Sequence, residues 1–371
     1  MKYNADNERI KRKYFVFMKE AKRLSESSID GIAKAIKRFE EYNKFRSFQA
    51  FHFEQAVGFK KHLKKQRNLQ TGNELSKATL NSTMRHLKAF FQWLAMQSGY
   101  KSRINYSDAE YFNLSEKEVR VATAKREKLF PTIEQIVYAI NTMPSETVLE
   151  RRNRCLLAFT LATGARDSAI ASLKLNHIDL TTGCVYQDAR DVNTKFSKTF
   201  KTYFFPVGDD VLQIIHDWVN YLRKERMWGN EDPLFPKTKV ALGEKNTFEA
   251  VDVDREHWSN ASPIRSIFKT AFESAGLPYF NPHSFRDTLV DLGGKVCKGL
   301  EALKAWSQNL GHEKILTTYL EYGGTVQPRR QAEIIQGLTD SGDVPEPFDT
   351  AELAKAVARE ISLQQAKIAG K

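Results

Sequence analysis

Residues 306–324 read WSQNLGHEKILTTYLEYGG, and this stretch, taken with two others upstream, decides the fold. It places one imidazole, His312, ahead of a short amphipathic run and two phenols, Tyr319 and Tyr322. A phenol can act as a nucleophile when a cationic site stabilises its phenolate. A single histidine is also common in a core, and single tyrosines usually pack, so the rest of the chain has to supply the cations.

The second stretch, NPHSFRDTL at residues 281–289, brings a cation and a titratable group together. His283 and Arg286 are three residues apart, so they share one face of a helix. An imidazole exchanges protons near neutral pH, and a guanidinium matches phosphate geometry with two hydrogen bonds. The competing interpretation is a helix-capping histidine beside an unrelated arginine.

The third stretch, LAFTLATGARDSAIASLKL at residues 157–175, sets Arg166 and Asp167 just after Gly164. A glycine that interrupts a helix before an arginine, followed by a new helix, holds the guanidinium on scaffold from both sides. The competing interpretation is a surface arginine paired with Asp167.

In this order, the motifs T-G-A-R, H-x-x-R, L-G-H and Tyr resemble those of the tyrosine recombinases, which include phage and transposon integrases and their chromosome-resolving relatives. The resemblance covers residues 132 to 326. It implies a site-specific recombinase that needs neither metal nor ATP, with a covalent 3′-phosphotyrosyl intermediate. The catalytic residues it implies are Arg166, Lys198, His283, Arg286, His312 and Tyr322, with Asp167 supporting them.

The family places its catalytic lysine in a β-hairpin, which here is VYQDARDVNTKFSKTFKTYFFPV at residues 185–207. Its lysine commonly lies eight residues before the proline that ends the second strand, and that count from Pro206 gives Lys198. Lys195 and Lys201 are competitors that could simply contact phosphates. Strand signals occur only around this hairpin, and helices are expected to resume at Asp209.

The spacing of the nucleophile departs from the family pattern. Many relatives carry the tyrosine nine residues after the histidine, and Glu321 stands there. Tyr319 lies at seven and Tyr322 at ten, so the count alone leaves both open. We expect Tyr322 to react, because Gly323 and Gly324 follow it and free the local backbone.

The formal net charge of +12 and pI of about 9.4 indicate a polyanionic partner, and we expect double-stranded DNA. A basic surface that only aids solubility is the alternative. One basic run in the helical part is either a phosphate-binding surface or a solvated face. Its members are Lys60, Lys61, Lys64, Lys65 and Arg67. The family resemblance further implies self-association on DNA, as a tetrameric synapse.

The sequence does not favour a membrane protein, a secreted protein or a protein that depends on a metal or a nucleotide. No run approaches the length of a membrane span and the polar N-terminus does not resemble a signal peptide, so we expect a cytoplasmic protein that joins the nucleoid when bound to DNA. Cys155, Cys184 and Cys297 lie far apart, which predicts buried structural thiols. No acidic or histidine cluster has metal-ligand spacing and no glycine-rich phosphate loop occurs, so we expect no cofactor.

The expected fold is mainly α with a small β-sheet (α+β). We predict a helical N-terminal core-binding domain at 1–115, a linker at 116–131, an integrase-type catalytic domain at 132–337 and a tail at 338–371. The two domains would form a C-shaped clamp around DNA. An amphipathic helix in the tail, with Leu353, Val357 and Ile361 on one face, would dock on a neighbouring protomer.

Three alternatives stay open at this point. A type IB topoisomerase would use the same groups to nick and reseal one duplex. A DNA-binding relative could have lost catalysis, although every expected side chain is present. A basic helical protein without a DNA role would require four motifs to have arisen by chance.

Overall fold

The computed structural model describes residues 3–68, 72–124, 129–243 and 246–312. The chain divides into two compact units, Met1–Arg126 and Glu127–Lys371. Tyr319, Tyr322 and the tail at 338–371 lie outside the described residues.

Helices build the first unit. They are α1 (Ala5–Val16, extended by a π-helical turn, Phe17–Ala21), α2 (Glu26–Tyr42), α3 (Phe53–Lys65), α4 (Lys77–Leu94) and α5 (Glu116–Thr123). Two 3₁₀ turns, Phe48–Ala50 and Tyr106–Phe112, connect them. Ser76 caps α4 by accepting a hydrogen bond from the amide of Thr79, as its position in the sequence predicts.

An aromatic cluster fills the core of this unit. The ring of Phe39 on α2 meets four others edge to face, with centroids 5.1 to 6.0 Å apart. These partners are Phe51, Phe59, Phe91 and Phe112, so one side chain ties α2 to α3, α4 and the second 3₁₀ turn. Burial of each such ring stabilises the unit by roughly 1.5–3 kcal/mol.

The stretch predicted as a linker, residues 116–131, contains a helix. Its first eight residues form α5, which begins at a capping box between Ser115 and Glu118. Helix α5 buries no residue, and its two valines, Val119 and Val121, stay exposed. The division between the two units falls within the same stretch.

The second unit is mainly helical with two small antiparallel sheets. Its helices are α6 (Ile133–Thr142), α7 (Val148–Thr163), α8 (Asp167–Ile170), α9 (Asp209–Asn220, extended by a π-helical turn, Tyr221–Glu225), α10 (Ser262–Ser274), α11 (Ser284–Val296) and α12 (Leu300–Asn309). The strands β1 (Ile178–Asp179), β2 (Cys184–Gln187) and β3 (Phe200–Tyr203) form one sheet in that order.

The second sheet is a hairpin of β4 (Thr238–Leu242) and β5 (Phe248–Val253). This hairpin was not predicted from the sequence, in which helices were expected to resume at Asp209. Its apolar side chains stay largely exposed, among them Val240, Leu242 and Phe248. Of the apolar residues in the two strands only Val253 is buried, so the hairpin packs no continuous apolar face on the core.

Helix α7 forms the centre of the second unit. Every residue from Cys155 to Thr163 is buried, which is typical of a helix enclosed on all sides. The helix ends at Gly164, whose φ of +59° is left-handed. A Cβ at this glycine would lie 2.9 Å from Leu310 Cδ2 and 3.0 Å from Leu289 Cδ1, so only glycine allows the three segments to approach this closely.

Two further expectations can be compared with the described residues. Cys155 and Cys184 are buried as predicted, whereas Cys297 is only half-buried because it follows the end of α11. In the described ranges, no helix combines the length and the apolar character that crossing a membrane requires.

Candidate active site

Arg286 forms the centre of the site. It lies in the first turn of α11 and is 2 % exposed. Its Nη1 donates to the carbonyl of Gly164 across 2.5 Å, and its Nη2 donates to the carbonyl of Leu310 across 2.6 Å. One guanidinium therefore joins the three sequence motifs, and its orientation is fixed by backbone rather than by mobile side chains.

His312 accepts a further hydrogen bond from Arg286. Nη2 of the arginine lies 2.8 Å from Nε2 of the imidazole. A guanidinium can only donate, so Nε2 is the acceptor and the neutral ring carries its proton on Nδ1. The imidazole follows Gly311, whose φ is +72°, and is 5 % exposed.

The electrostatic surroundings keep His312 neutral. Its pKa is lowered to about 3, first by burial and then by the surrounding positive charge. The groups that contribute this charge are, in order, Arg286, Arg166, Lys198 and His283. All four residues were predicted from sequence as catalytic, and the structure brings their charges together around a fifth, His312.

Arg166 reaches the site from the turn after α7. It is the N-cap residue of α8 and is half-buried. The buried helix α7 precedes it and the buried residues Ala169 and Ile170 follow it, so its backbone is held on both sides.

Lys198 lies in the loop between β2 and β3, after a 3₁₀ turn at Lys195–Ser197. It is half-buried, and its charge acts on His312. The two competing lysines have other surroundings. Lys195 lies over the ring of Phe196, 4.9 Å from its centroid, and the exposed Lys201 acts on Asp179, whose pKa is lowered mainly by hydrogen bonds from Thr182.

His283 and Arg286 lie at the N-terminal end of the same helix but differ in burial. His283 is the N-cap residue of α11 and is exposed, whereas Arg286 is buried one turn later. The carbonyl of His283 accepts the amide of Arg286 at 3.2 Å. The exposed imidazole is accessible to protons from solvent, unlike the buried one of His312.

Asp167 pairs with a residue that the sequence analysis missed. Its Oδ2 lies 2.6 Å from Nε of Arg265 on α10. The two residues are 98 positions apart, and no local pattern marks an exposed arginine on an amphipathic helix as special. The pair joins the turn that carries Arg166 to α10.

The basic run of the first unit has mixed surroundings. Lys60 donates to the carbonyl of Asn113 across 3.0 Å, and Lys64 pairs with Glu118, so both help to hold α5 and the segment before it on α3. Arg67 donates to the carbonyl of Gly72 across 3.3 Å. Lys61 and Lys65 are exposed. Binding of DNA by this run stays a prediction.

The first unit also has a groove that the sequence did not reveal. It lies between α2 and α4 and encloses about 780 Å³. Arg85, His86 and Lys88 from α4 and Ser27 and Ser28 from α2 line it. The three α4 residues lie between buried residues of the same helix, such as Met84 and Leu87, which is the ordinary pattern of an amphipathic helix.

Metal ligands do not cluster in the part of the chain that the structure describes: there, no group of three or more His, Cys, Asp or Glu residues could hold an ion.

The identity of the nucleophile depends on residues outside this part of the chain. The described residues end at His312, so the choice between Tyr319 and Tyr322 stays a prediction.

The sequence that contains this site matches a known protein family. The model of the phage integrase family matches residues 131–322, more than half of the chain. The tyrosine recombinase XerC of Lactobacillus delbrueckii subsp. bulgaricus is 23 % identical over 258 residues, which are 68 % of this chain and 74 % of the relative. XerC of Halalkalibacterium halodurans is 23 % identical over 260 residues, 66 % of this chain and 71 % of the relative.

Solved structures share the fold at lower identity. A lambda integrase dimer bound to a COC′ core site superposes with a TM-score of 0.57 at 11 % identity, covering 86 % of this chain and 96 % of the integrase chain. The XerH site-specific recombinase in a post-cleavage complex with a palindromic difH substrate gives 0.55 at 17 % identity, covering 86 % and 82 %.

Proposed function

The chain belongs to the phage integrase family, and from this membership we propose that it acts as a site-specific tyrosine recombinase on double-stranded DNA. One observation carries the proposal. Arg286 holds the backbones of the other two motifs and the buried imidazole of His312 together, and the positive charges of Arg286, Arg166 and Lys198 all act on that imidazole. Such a concentration of positive charge suits a scissile phosphate, whose transition state carries the most negative charge on its non-bridging oxygens.

The proposed cleavage step is a transesterification. The phenolic oxygen of Tyr322 attacks phosphorus and forms a 3′-phosphotyrosyl ester, while the bond from phosphorus to the 5′ oxygen breaks. His283 accepts the proton of the phenol, and Lys198 donates a proton to the departing 5′ oxygen. The exposed position of His283 supports its role, because a proton acceptor has to exchange with solvent between cycles.

Charge stabilisation is assigned to the two arginines and His312. Arg166 and Arg286 bind the non-bridging oxygens, and neutral His312 donates a hydrogen bond from its Nδ1–H group to one of them. Backbone carbonyls already orient Arg286, so little reorganisation is needed when charge develops. Asp167 holds the turn that carries Arg166 against α10 through its ion pair with Arg265.

Strand exchange follows from the ester itself. The phosphotyrosyl bond conserves the energy of the phosphodiester, so a 5′ hydroxyl from a second duplex can reverse the step without ATP. Exchange between duplexes requires several protomers, and we propose that four assemble on paired sites. The lambda integrase structure is a dimer bound to a core site, which agrees with assembly on DNA.

The remaining parts of the chain have proposed roles in the same reaction. The helical first unit serves as a core-binding domain, in which Lys60, Lys61, Lys64, Lys65 and Arg67 contact phosphates. Lys195 and Lys201 contact phosphates from the second unit. The tail at 338–371 docks on a neighbouring protomer. Action on DNA places the protein in the cytoplasm, associated with the nucleoid.

Exchange between two labelled duplexes tests this function. Two linear DNAs that carry the sites flanking its own gene should yield recombinant products in excess EDTA and without nucleotide. Relaxation of a supercoiled plasmid without recombinants would favour the topoisomerase alternative. Binding without any cut strand would favour a relative that has lost catalysis.

A further inference from the structure

The side chain of Asn309 occupies the edge of the three-stranded sheet. Strand β3 is the last strand of that sheet, and one of its residues, Tyr203, turns its backbone amide and carbonyl away from β2. Asn309 Oδ1 accepts the amide of Tyr203 across 2.7 Å, and Asn309 Nδ2 donates to the carbonyl of Tyr203 across 2.8 Å. The carboxamide thus replaces the backbone of a missing neighbouring strand.

Two more contacts lie beside this pair. Thr202 Oγ1 donates to the backbone carbonyl of Asn309 across 3.0 Å, and the same oxygen accepts from Gln187 Nε2 at 3.1 Å. The ring of Phe200 packs so closely on Gly311 that a Cβ there would lie 2.6 Å from the ring. Strand β3 therefore contacts residues 309–311, just before His312, from its first residue to its last.

The opposite side of α12 packs on α11, the helix that carries Arg286. Trp306 Nε1 donates to the carbonyl of Leu289 across 2.9 Å. A Cβ at Gly293 would lie 2.5 Å from Trp306 Nε1, so the indole lies directly against the α11 backbone. Helix α12 consequently joins the phosphate-binding Arg286 to the strand that follows Lys198.

We propose that Asn309 is a positioning residue, which sets the place of Lys198 relative to His312 and thereby the transfer of a proton to the leaving 5′ oxygen. It stands three residues before His312, and its partner Tyr203 stands five residues after Lys198. Lys198 itself lies in an irregular loop, so its position depends on how firmly β3 is held. The inference rests on the proposed recombinase function.

A sulfur-substituted substrate separates this role from a general structural one. When the 5′ bridging oxygen of the scissile phosphate is replaced by sulfur, the leaving thiolate needs no proton from the enzyme. Cleavage of this substrate depends on the nucleophile and the arginines, but not on the lysine. Single-turnover cleavage of both substrates is measured for the full chain and its variants.

Asn309→Ala should cleave the oxygen substrate about 10- to 100-fold more slowly, since small misplacements of a catalytic group have effects of this size. It should cleave the sulfur substrate within about threefold of the wild-type rate, because a misplaced lysine does not matter when the leaving group needs no proton. Asn309→Asp keeps the acceptor for the Tyr203 amide but sets a carboxylate against its carbonyl, and it should behave likewise. This isosteric variant keeps the test valid if the alanine variant folds poorly.

Three controls define the outcome. Gln308→Ala alters an exposed neighbour and should cleave both substrates normally. Lys198→Ala should share the pattern of Asn309→Ala, and Arg286→Ala should fail on both substrates. Equal losses of Asn309→Ala on both substrates, or no loss on either, would overturn the inference. A wild-type chain that cleaves neither substrate contradicts the proposed function and the inference with it.

Discussion

Arg286 Nη2 and His312 Nε2 lie 2.8 Å apart, and this contact fixes the protonation state of the histidine. Both partners are almost fully buried. A protonated imidazole would set an N–H group against an N–H group beside the positive charges of Arg286, Arg166 and Lys198. The site therefore holds one neutral histidine among cations, and stability and catalysis should both respond to that choice.

The stability of the protein should fall in acid because of His312. An unfolded chain binds a proton at this histidine near pH 6.5, whereas the folded chain does so only near a pKa of about 3. Between these values the unfolded state binds more protons, so the free energy of unfolding decreases as the pH is lowered, by up to about 1.4 kcal/mol per pH unit. The contribution is fully present above pH 6.5.

Urea unfolding of the wild type and of His312→Gln measures this effect. Glutamine can still accept from Arg286 but does not titrate. Between pH 7 and pH 5 the wild type should lose about 2 kcal/mol more than the variant. Parallel pH profiles would show that His312 binds protons equally in both states.

The alanine variants of Arg286 and Arg166 should differ in stability, although we expect both to lose cleavage. Arg286→Ala leaves the buried carbonyls of Gly164 and Leu310 without their donor, at a cost of about 1–3 kcal/mol each. Arg166→Ala removes a half-buried side chain and should change the free energy of unfolding by less than about 1 kcal/mol. Denaturation and DNA binding are measured together with adduct formation. Similar losses of stability would contradict the assigned contacts.

Gly164 should tolerate no side chain, and Gly276 provides a matched control. Both have left-handed φ, at +59° and +69°, but a Cβ at Gly276 meets nothing within 4 Å. Gly276→Ala should cost only the backbone strain of about 1–2 kcal/mol. Gly164→Ala adds the displacement of Leu310 and Leu289, about 1–3 kcal/mol more, and should slow cleavage because Arg286 moves. Equal effects in thermal unfolding and in cleavage would show that the close approach is unimportant.

The sequence predicted the centre of the site better than its surroundings. Arg166, Arg286 and His312 each stand in a short motif that can be recognised in the sequence itself. Asn309 and Arg265 have no such signal, since their partners lie 106 and 98 positions away and only the folded chain brings them together. The β4–β5 hairpin was missed for another reason, because its apolar residues are exposed.

The central claim is that a tyrosine of this chain becomes joined to DNA, and that the tyrosine is Tyr322. A suicide substrate, nicked just beyond the scissile phosphate, traps the ester because the short leaving strand diffuses away. Tyr319 and Tyr322 share the tryptic peptide at residues 315–329, so fragment spectra must locate the attached nucleotide. In excess EDTA the wild type should form a denaturant-resistant adduct on Tyr322, Tyr319→Phe should retain it, and Tyr322→Phe should bind DNA without forming it. A nucleotide on Tyr319 would contradict the assignment of the nucleophile, and the absence of any adduct unless Mg²⁺ is added would contradict the mechanism.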